Sequence, residues 1–492
     1  MEVLKTSTGT LFKNYLQHSC KLLEYRTSIF QKNIHKQVPT TGFFDANTST
    51  FATYSMSNEF IQRMIYGSNY NSVDINIAPI YKGKEMPAIN SNIELTDVQQ
   101  PVMNSMLYNK NCEMFINLPT AVGKTVLAVH YISYYNRKCI ILCYNKKVLE
   151  QWKKSLITKT DINPDRIKVI NSSSYLNKVY QDDIDVNKID IWLTTPAMIS
   201  SYGETYGWNT VMGIFEKCGI GLKIIDEAHR NLATTIKLNA WTSIAKTIYL
   251  SADFNQASYE MRKQFFEVFR NVPVIKLDDE TMQDLKHIIA VEYRFNTHPA
   301  IEEVIHITNE NKRNKYHWNQ YEYTKYQLEK GELANHVIRI VNQIVKSDKD
   351  FPNPNQFYKI LILTNMIKVV DDMYSILLSA NINRTIGRYH GQMTPEDQHD
   401  ALNCDIIVAT YQAFSEGTDV TSPNFRHVIS TCPVDCILAN QSAGRNRPIS
   451  GLNSYFWMLV DTGFEYCTSN STKVLKYLSK SRVGTIKRID EV

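Results

Sequence analysis

Eight short runs dominated by Val, Ile and Leu constrain the fold of this chain more than any other feature. They read KCIILCY, IDIWLTT, GLKIIDE and KTIYLSA between residues 138 and 252, then YKILILT, CDIIVAT, RHVISTC and SYFWMLVD between residues 358 and 461. A strand with one wet face alternates apolar and polar side chains, whereas a nearly continuous apolar run needs cover on both faces. Longer amphipathic stretches separate the runs, and this predicts helices packed on both sides of parallel sheets. Two clusters of four runs predict two α/β domains. With 492 residues, 43% of them hydrophobic, the chain can bury more than one core. The series of runs pauses between about residues 255 and 355, where a charged, aromatic, helix-prone stretch, NENKRNKYHWNQYEYTKYQLEK, stands instead. The expected division is therefore an accessory region over 1–90, a first domain over 91–280 and a second over 281–492, with the boundary near 275–285. Residues 1–90 are rich in Asn, Ser, Thr and Tyr and predict either a small domain or a partly ordered arm.

Residues 117–125, NLPTAVGKT, follow an apolar run that ends in a proline and a threonine. They hold the residue types a phosphate-binding loop needs: Gly123 to let the backbone close on a phosphate, Lys124 for the β- and γ-phosphates, and the Thr125 hydroxyl for Mg²⁺. The loop departs from G-x-x-x-x-G-K-[ST], because Leu118 stands where the first glycine belongs. The following VLAVHYISYY places Val126, Val129, Ile132 and Ser133 at helical spacing. Strand, tight loop and helix N-terminus together form an anion site, since the first N–H groups of a helix lack intrahelical partners.

About 100 residues further on, LKIIDEAHR ends an apolar strand in Asp226-Glu227-Ala228-His229. Mg²⁺ prefers hard oxygen ligands, which suits Asp226 at a strand tip together with Thr125, and Glu227 is placed to orient or deprotonate an attacking water.

The second of these motifs resembles the D-E-x-H of the superfamily 2 helicases and translocases, and further segments are similar in the same order. LTDVQQPVM resembles the segment upstream of the loop, with Gln99 in the adenine-reading position and with Val98 and Thr96 where an aromatic and an arginine are expected. CYNKKVLEQW and TTPAM resemble segments that meet the nucleic-acid backbone, which assigns Asn145, Gln151 and Thr195 to that contact. SAD at 251–253 is similar to the S-A-T coupling motif, with Asp253 replacing threonine; Ser251 and His229 are the implied coupling pair. IIVATYQAFSEGTDV matches the fifth motif, with Thr410 on the nucleic-acid side and Glu416, Gly417 and Asp419 in matching places. QSAGRNR resembles the sixth, Q-x-x-G-R-x-x-R. Many loops of this family read P-T-x-x-G-K-[ST], which accounts for Leu118 and assigns Pro119 and Thr120 to the nucleotide.

The resemblance covers about residues 95–465. It implies two RecA-like domains with ATP and Mg²⁺ between them. The first would contribute Gln99, Lys124, Thr125, Asp226 and Glu227; the second Gly417, Asp419, Gln441, Arg445 and Arg447. The sixth motif departs from its pattern: Arg445 and Arg447 are two residues apart, not three, and Pro448 follows. A two-residue step on a helix turns a side chain about 100° from the three-residue position. Pro448 disfavours helical geometry at Arg447, so the helix is expected to end there and both arginines to reach the nucleotide.

The loop and the fifth motif are closest in style to phage branch-migrating helicases of the UvsW type and to XPB- and RecG-like motors. The function implied is a helicase or translocase that remodels forked or branched DNA in phage replication, recombination or repair, with proteins of those pathways as possible partners. Alternatives are an RNA helicase, disfavoured because D-E-A-D and H-R-x-G-R are absent, the motor portion of a restriction enzyme, and an ATP-dependent clamp without unwinding. The net charge of +5 permits a local basic groove without requiring one. No export signal, membrane span or membrane partner is expected, which places the protein in the cytoplasm, that of the host if phage-encoded. The nine cysteines include no C-x-x-C; Cys139/Cys143 and Cys432/Cys436 read as buried free thiols.

Overall fold

A computed structural model describes residues 1–491 apart from 32–35, 69, 71, 120–121, 231, 252–258, 309, 312–314, 317, 348–358, 416–424 and 447–451. The chain divides into two compact units, Met1–Leu277 and Asp278–Val492. Each contains a seven-stranded sheet that is parallel throughout, with helices between the strands. All eight apolar runs form strands of these two sheets.

In the first unit the strand order across the sheet is Ile167–Val169, Ile191–Thr194, Cys139–Leu142, Leu222–Ile225, Lys246–Ser251, Glu113–Asn117, Val274–Lys276. The central strands are buried on both faces, as Ile224, Ile248 and Phe115 illustrate with no exposed surface. Leu222–Ile225, Lys246–Ser251 and Glu113–Asn117 are consecutive neighbours, so the segments leaving their carboxyl ends meet at one edge. Ligands of open parallel sheets bind at such an edge.

Residues 1–77 build a second, five-stranded sheet in the same unit, ordered Gly42–Asp45, Thr50–Tyr54, Gly9–Lys13, Glu2–Lys5, Asp74–Ile77. Its pairs are antiparallel except the last, which is parallel. Val3, Leu11, Phe12 and Phe51 from this sheet belong to one continuous apolar cluster with Ile236, Leu238, Ala240 and Tyr249 of the seven-stranded layer. The helix Leu232–Trp241 lies between the two sheets. Gly9 is required there: a β-carbon on it would sit 2.3 Å from Ala240 Cα. Thr8 Oγ1 donates to the Asn239 carbonyl at 2.8 Å, closing the contact with a polar tie. From this sheet the chain runs along the seven-stranded layer, with Lys84 N–H bonded to Gly219 O (2.8 Å) and Lys138 N–H to Lys84 O (3.0 Å).

In the second unit the order is Ile386–Tyr389, Ile406–Thr410, Lys359–Thr364, Phe425–Ser430, Ser454–Asp461, Ile288–Phe295, Val483–Asp490. The expected pause in the strand series is overturned. Val274–Lys276 and Ile288–Phe295 both fall within it, and the latter, IIAVEYRF, is an inner strand whose Glu292 is buried against Ser471 and Arg488. That buried carboxylate and the arginine at 294 disguise the run as half-polar. The charged stretch after it contributes the helix Gln320–Lys330. Cys139, Cys143 and Cys432 are buried free thiols, and Cys436 is half-buried. No helix among the described residues is long and apolar enough to cross a membrane.

Candidate nucleotide site

The loop after Glu113–Asn117 enters the helix Lys124–Tyr135 through Gly123, whose φ of +94° is in the left-handed region. Only glycine adopts that backbone without strain. The helix has no side-chain cap and no acidic residue in its first turn, as suits a helix N-terminus that meets an anion. Its buried face is Leu127, Ala128, Val129, Tyr131 and Ile132, while Val126 and Ser133 are only half-buried.

Two side chains shape the loop. Lys124 Nζ donates to the Leu118 carbonyl at 3.2 Å, so the position that lacks the first glycine supplies a backbone acceptor to the lysine. Gln99 accepts from Thr96 N–H at 3.2 Å and donates to Val122 O at 2.8 Å. It therefore props the loop from the position that the resemblance assigns to adenine reading. Pro119 accepts from Val122 N–H, and Thr125 follows Lys124 in the first turn. Thr120 lies outside the described residues.

Asp226 follows Leu222–Ile225, with its N–H bonded to Leu142 O at 2.9 Å. Its Oδ2 accepts from Trp152 Nε1 at 2.8 Å and its Oδ1 from Glu227 N–H at 3.0 Å. Burial and the neighbouring Glu227 push its carboxyl up to about 6, against the opposing pull of Trp152 and Lys124. Glu227 has φ +47°, an uncommon conformation for a residue with a side chain. It turns its carboxylate toward His229, with Oε2 3.3 Å from Nδ1.

The same His229 Nδ1 lies 2.7 Å from Ser251 Oγ. Burial, Arg230 and Lys124 lower the imidazole to about 3, so His229 is neutral near pH 7. The two motifs read as a coupling pair are thus in direct contact at the carboxyl ends of adjacent strands. Leu118 N–H closes the group by bonding to Ser251 O at 3.2 Å. Asp253 lies outside the described residues.

The nucleic-acid candidates occupy strand-to-helix junctions. Asn145 Oδ1 accepts from Val148 N–H (2.9 Å) and caps Lys146–Lys159; Thr195 Oγ1 accepts from Met198 N–H (3.1 Å) and caps Pro196–Tyr206. Thr410 Oγ1 accepts from Ala413 N–H at 3.3 Å at the end of its strand. Gln151 is half-buried on the helix that Asn145 caps. These side chains have local structural work in addition to any contact with a strand.

In the second unit Gln441 sits on the helix Cys436–Ala443, and Arg445 lies over the Phe414 ring at 6.0 Å. The expectation that this helix continues to Arg447 is incorrect: it ends at Ala443. Asn446 has left the helix and lies fully buried, its Nδ2 donating to Arg426 O at 3.0 Å and Tyr455 O at 3.2 Å. Its backbone bridges Phe425. The helical phase on which the spacing argument rested is therefore absent between Arg445 and Asn446. Arg447, Glu416, Gly417 and Asp419 lie outside the described residues.

Sequence reasoning missed Trp152 and Asn446. Trp152 was legible only as an apolar residue on an amphipathic helix; nothing in the sequence pairs it with a carboxylate 74 positions away.

The residues present fit a magnesium-bound nucleoside triphosphate. Uncapped helix N–H groups and Lys124 supply positive character, and Thr125 with Asp226 supplies hard oxygens. Residues 92–256 match the family described as the type III restriction enzyme res subunit. The XPB helicase/translocase subunit of general transcription and DNA repair factor IIH from Enterocytozoon bieneusi is 26% identical over 219 residues, 38% of this chain and 36% of that protein. Its counterpart in Encephalitozoon cuniculi is 27% identical over 133 residues, 27% of this chain and 19% of that protein. This chain is similar to superfamily 2 helicases. The chain thus spans about a third or less of the length of these curated relatives. A solved structure shares the fold. The structure of S. cerevisiae Dbp5 bound to RNA and ADP BeF3 superposes with a TM-score of 0.52 at 12% identity, covering 81% of this chain and 90% of that one.

Proposed function

We propose that this protein is a nucleic-acid-dependent ATPase that works as a DNA helicase or translocase on forked or branched substrates. The observation that carries the reading is the contact of His229 with both Glu227 and Ser251 beside the Lys124 loop. Lys124, the first-turn N–H groups and Gln99 bind and orient the triphosphate; Thr125 and Asp226 hold Mg²⁺. The bound ion supplies charge neutralisation at the β- and γ-phosphates. Glu227 orients the attacking water and receives its proton. The Nδ1 of neutral His229 stands 2.7 Å from Ser251 Oγ and 3.3 Å from Glu227 Oε2, so a shift at Ser251 is felt beside the water-orienting carboxylate.

The preference for DNA rests on the similarity to the XPB helicase/translocase subunits and on the style of the loop and fifth motif. A phage role in replication or recombination and a cytoplasmic location are part of the same reading. The deciding experiment measures ATP turnover with single-stranded DNA, duplex, forked DNA and RNA, beside strand displacement. Forked DNA should stimulate most. Stimulation by RNA alone would refute the DNA reading, and turnover without strand displacement would leave a translocating clamp. The family match of residues 92–256 makes a restriction-enzyme motor the second reading, to be checked by incubating closed circular DNA with ATP and looking for cleavage.

A further inference from the structure

Asp226 is held by a side chain to which none of the motifs assigns a role, the tryptophan that closes CYNKKVLEQW. Trp152 is 1% exposed and lies on the helix Lys146–Lys159, which packs against the loop helix Lys124–Tyr135 and against the strand Ile191–Thr194. Its indole N–H reaches Asp226 Oδ2 at 2.8 Å. An indole nitrogen can only donate, and the ring is rigid, so this bond fixes the plane of the carboxylate in a way a hydroxyl or amide would not. The other oxygen is fixed by Glu227 N–H at 3.0 Å. Each oxygen then keeps lone-pair capacity on its remaining side for a hard cation or its water.

The position of Trp152 along its helix gives the bond a second meaning. Asn145 caps the same helix and Gln151 immediately precedes the tryptophan. Both are the residues assigned to the nucleic-acid backbone. A displacement of this helix by a bound strand therefore moves the donor that sets the carboxylate's orientation.

We propose that Trp152 is a positioning residue for the metal-binding carboxylate: its N–H holds Asp226 in the geometry that receives Mg²⁺ and links that geometry to the helix bearing Asn145 and Gln151. This rests on the nucleotide-site reading above. The chemistry is that of an outer-shell hydrogen bond to a ligating carboxylate, and loss of such a bond typically weakens metal binding or activity by about 10–100-fold.

The test uses the full chain with Trp152 replaced by benzothienylalanine, which keeps the bicyclic ring and lacks the N–H, alongside Trp152→Phe. Binding of a fluorescent ATP analogue is followed while Mg²⁺ is titrated, and again in EDTA. We expect the Mg²⁺ concentration at half-saturation to rise about tenfold, within that outer-shell range, with affinity in EDTA unchanged. Turnover should lose kcat more than KM, and stimulation by DNA should fall. In an Asp226→Asn background the same replacement should change the Mg²⁺ midpoint no further. An unchanged midpoint, equal weakening in EDTA, or full additivity with Asp226→Asn would overturn the proposal and leave Trp152 as core packing. If Trp152→Phe fails to fold, the isosteric variant alone decides. A wild-type chain with no Mg²⁺-dependent nucleotide binding would instead overturn the nucleotide-site reading, and this inference with it.

Discussion

The proposed function gives Lys124 and Glu227 different work, and their substitutions should separate. Lys124 is half-buried at the loop and belongs to no apolar cluster, so Lys124→Ala should abolish ATP turnover with an unchanged thermal midpoint. Glu227→Gln should bind the fluorescent nucleotide as wild type and hydrolyse ATP at least a hundredfold more slowly; equal loss of binding in both would contradict this division. His229 supports a prediction about pH. Its folded value of about 3 lies below the ordinary 6.5, because burial, Arg230 and Lys124 all oppose the charge. Above about pH 6.5 neither the folded nor the unfolded chain protonates this ring, and it contributes no slope. Between about 6.5 and 3 the unfolded chain takes up a proton that the folded site refuses, so stability falls as pH falls. Urea midpoints at pH 7.5 and 5 should therefore decline less for His229→Gln than for wild type. An identical decline would place the burden on other groups.

At the scale of elements, the helix Leu232–Trp241 is the piece whose role the sequence conceals. It begins just after Asp226–His229, yet Ile236, Leu238 and Ala240 pack into a core shared with the N-terminal sheet. Close approach at Gly9 makes that packing exacting. Gly9→Ala would force a β-carbon to within 2.3 Å of Ala240 Cα, a backbone atom that cannot swing aside. Overpacking of this kind typically costs about 1–3 kcal/mol, and a thermal melt should show the loss. A variant as stable as wild type would mean that the two layers separate easily. The sixth-motif helix illustrates the opposite case. The following proline predicts an end at Arg447, but the helix stops at Ala443, where Asn446 bridges Phe425 and donates to Tyr455 O instead of continuing the turn.

For the whole molecule, the shared core changes what truncation should do. The composition of residues 1–90 suggests a dispensable accessory, and on that view removal leaves a soluble ATPase. In the structure those residues cover Ile236, Leu238 and Ala240, and their extended segment is hydrogen-bonded along the motor layer at Lys84 and Met86. A chain starting at residue 91 should therefore aggregate or melt far below wild type in light scattering and circular dichroism; a stable, active truncation would show the two layers to be independent. The strands of both parallel sheets were legible because burial on two faces demands runs of Val, Ile and Leu, a purely local signal. The placement of the loop between strand and helix and of Asp226–His229 at a strand end was legible because a short apolar run followed by a turn is a local signal. Ile288–Phe295 was hidden because its polar residues are satisfied by partners such as Ser471 and Arg488, nearly 200 positions away. The neutral state of His229, the hold of Trp152 on Asp226 and the covering of the helix Leu232–Trp241 by the N-terminal sheet were decided by tertiary structure alone. Each depends on desolvation or contact between segments that no local pattern of residues brings together.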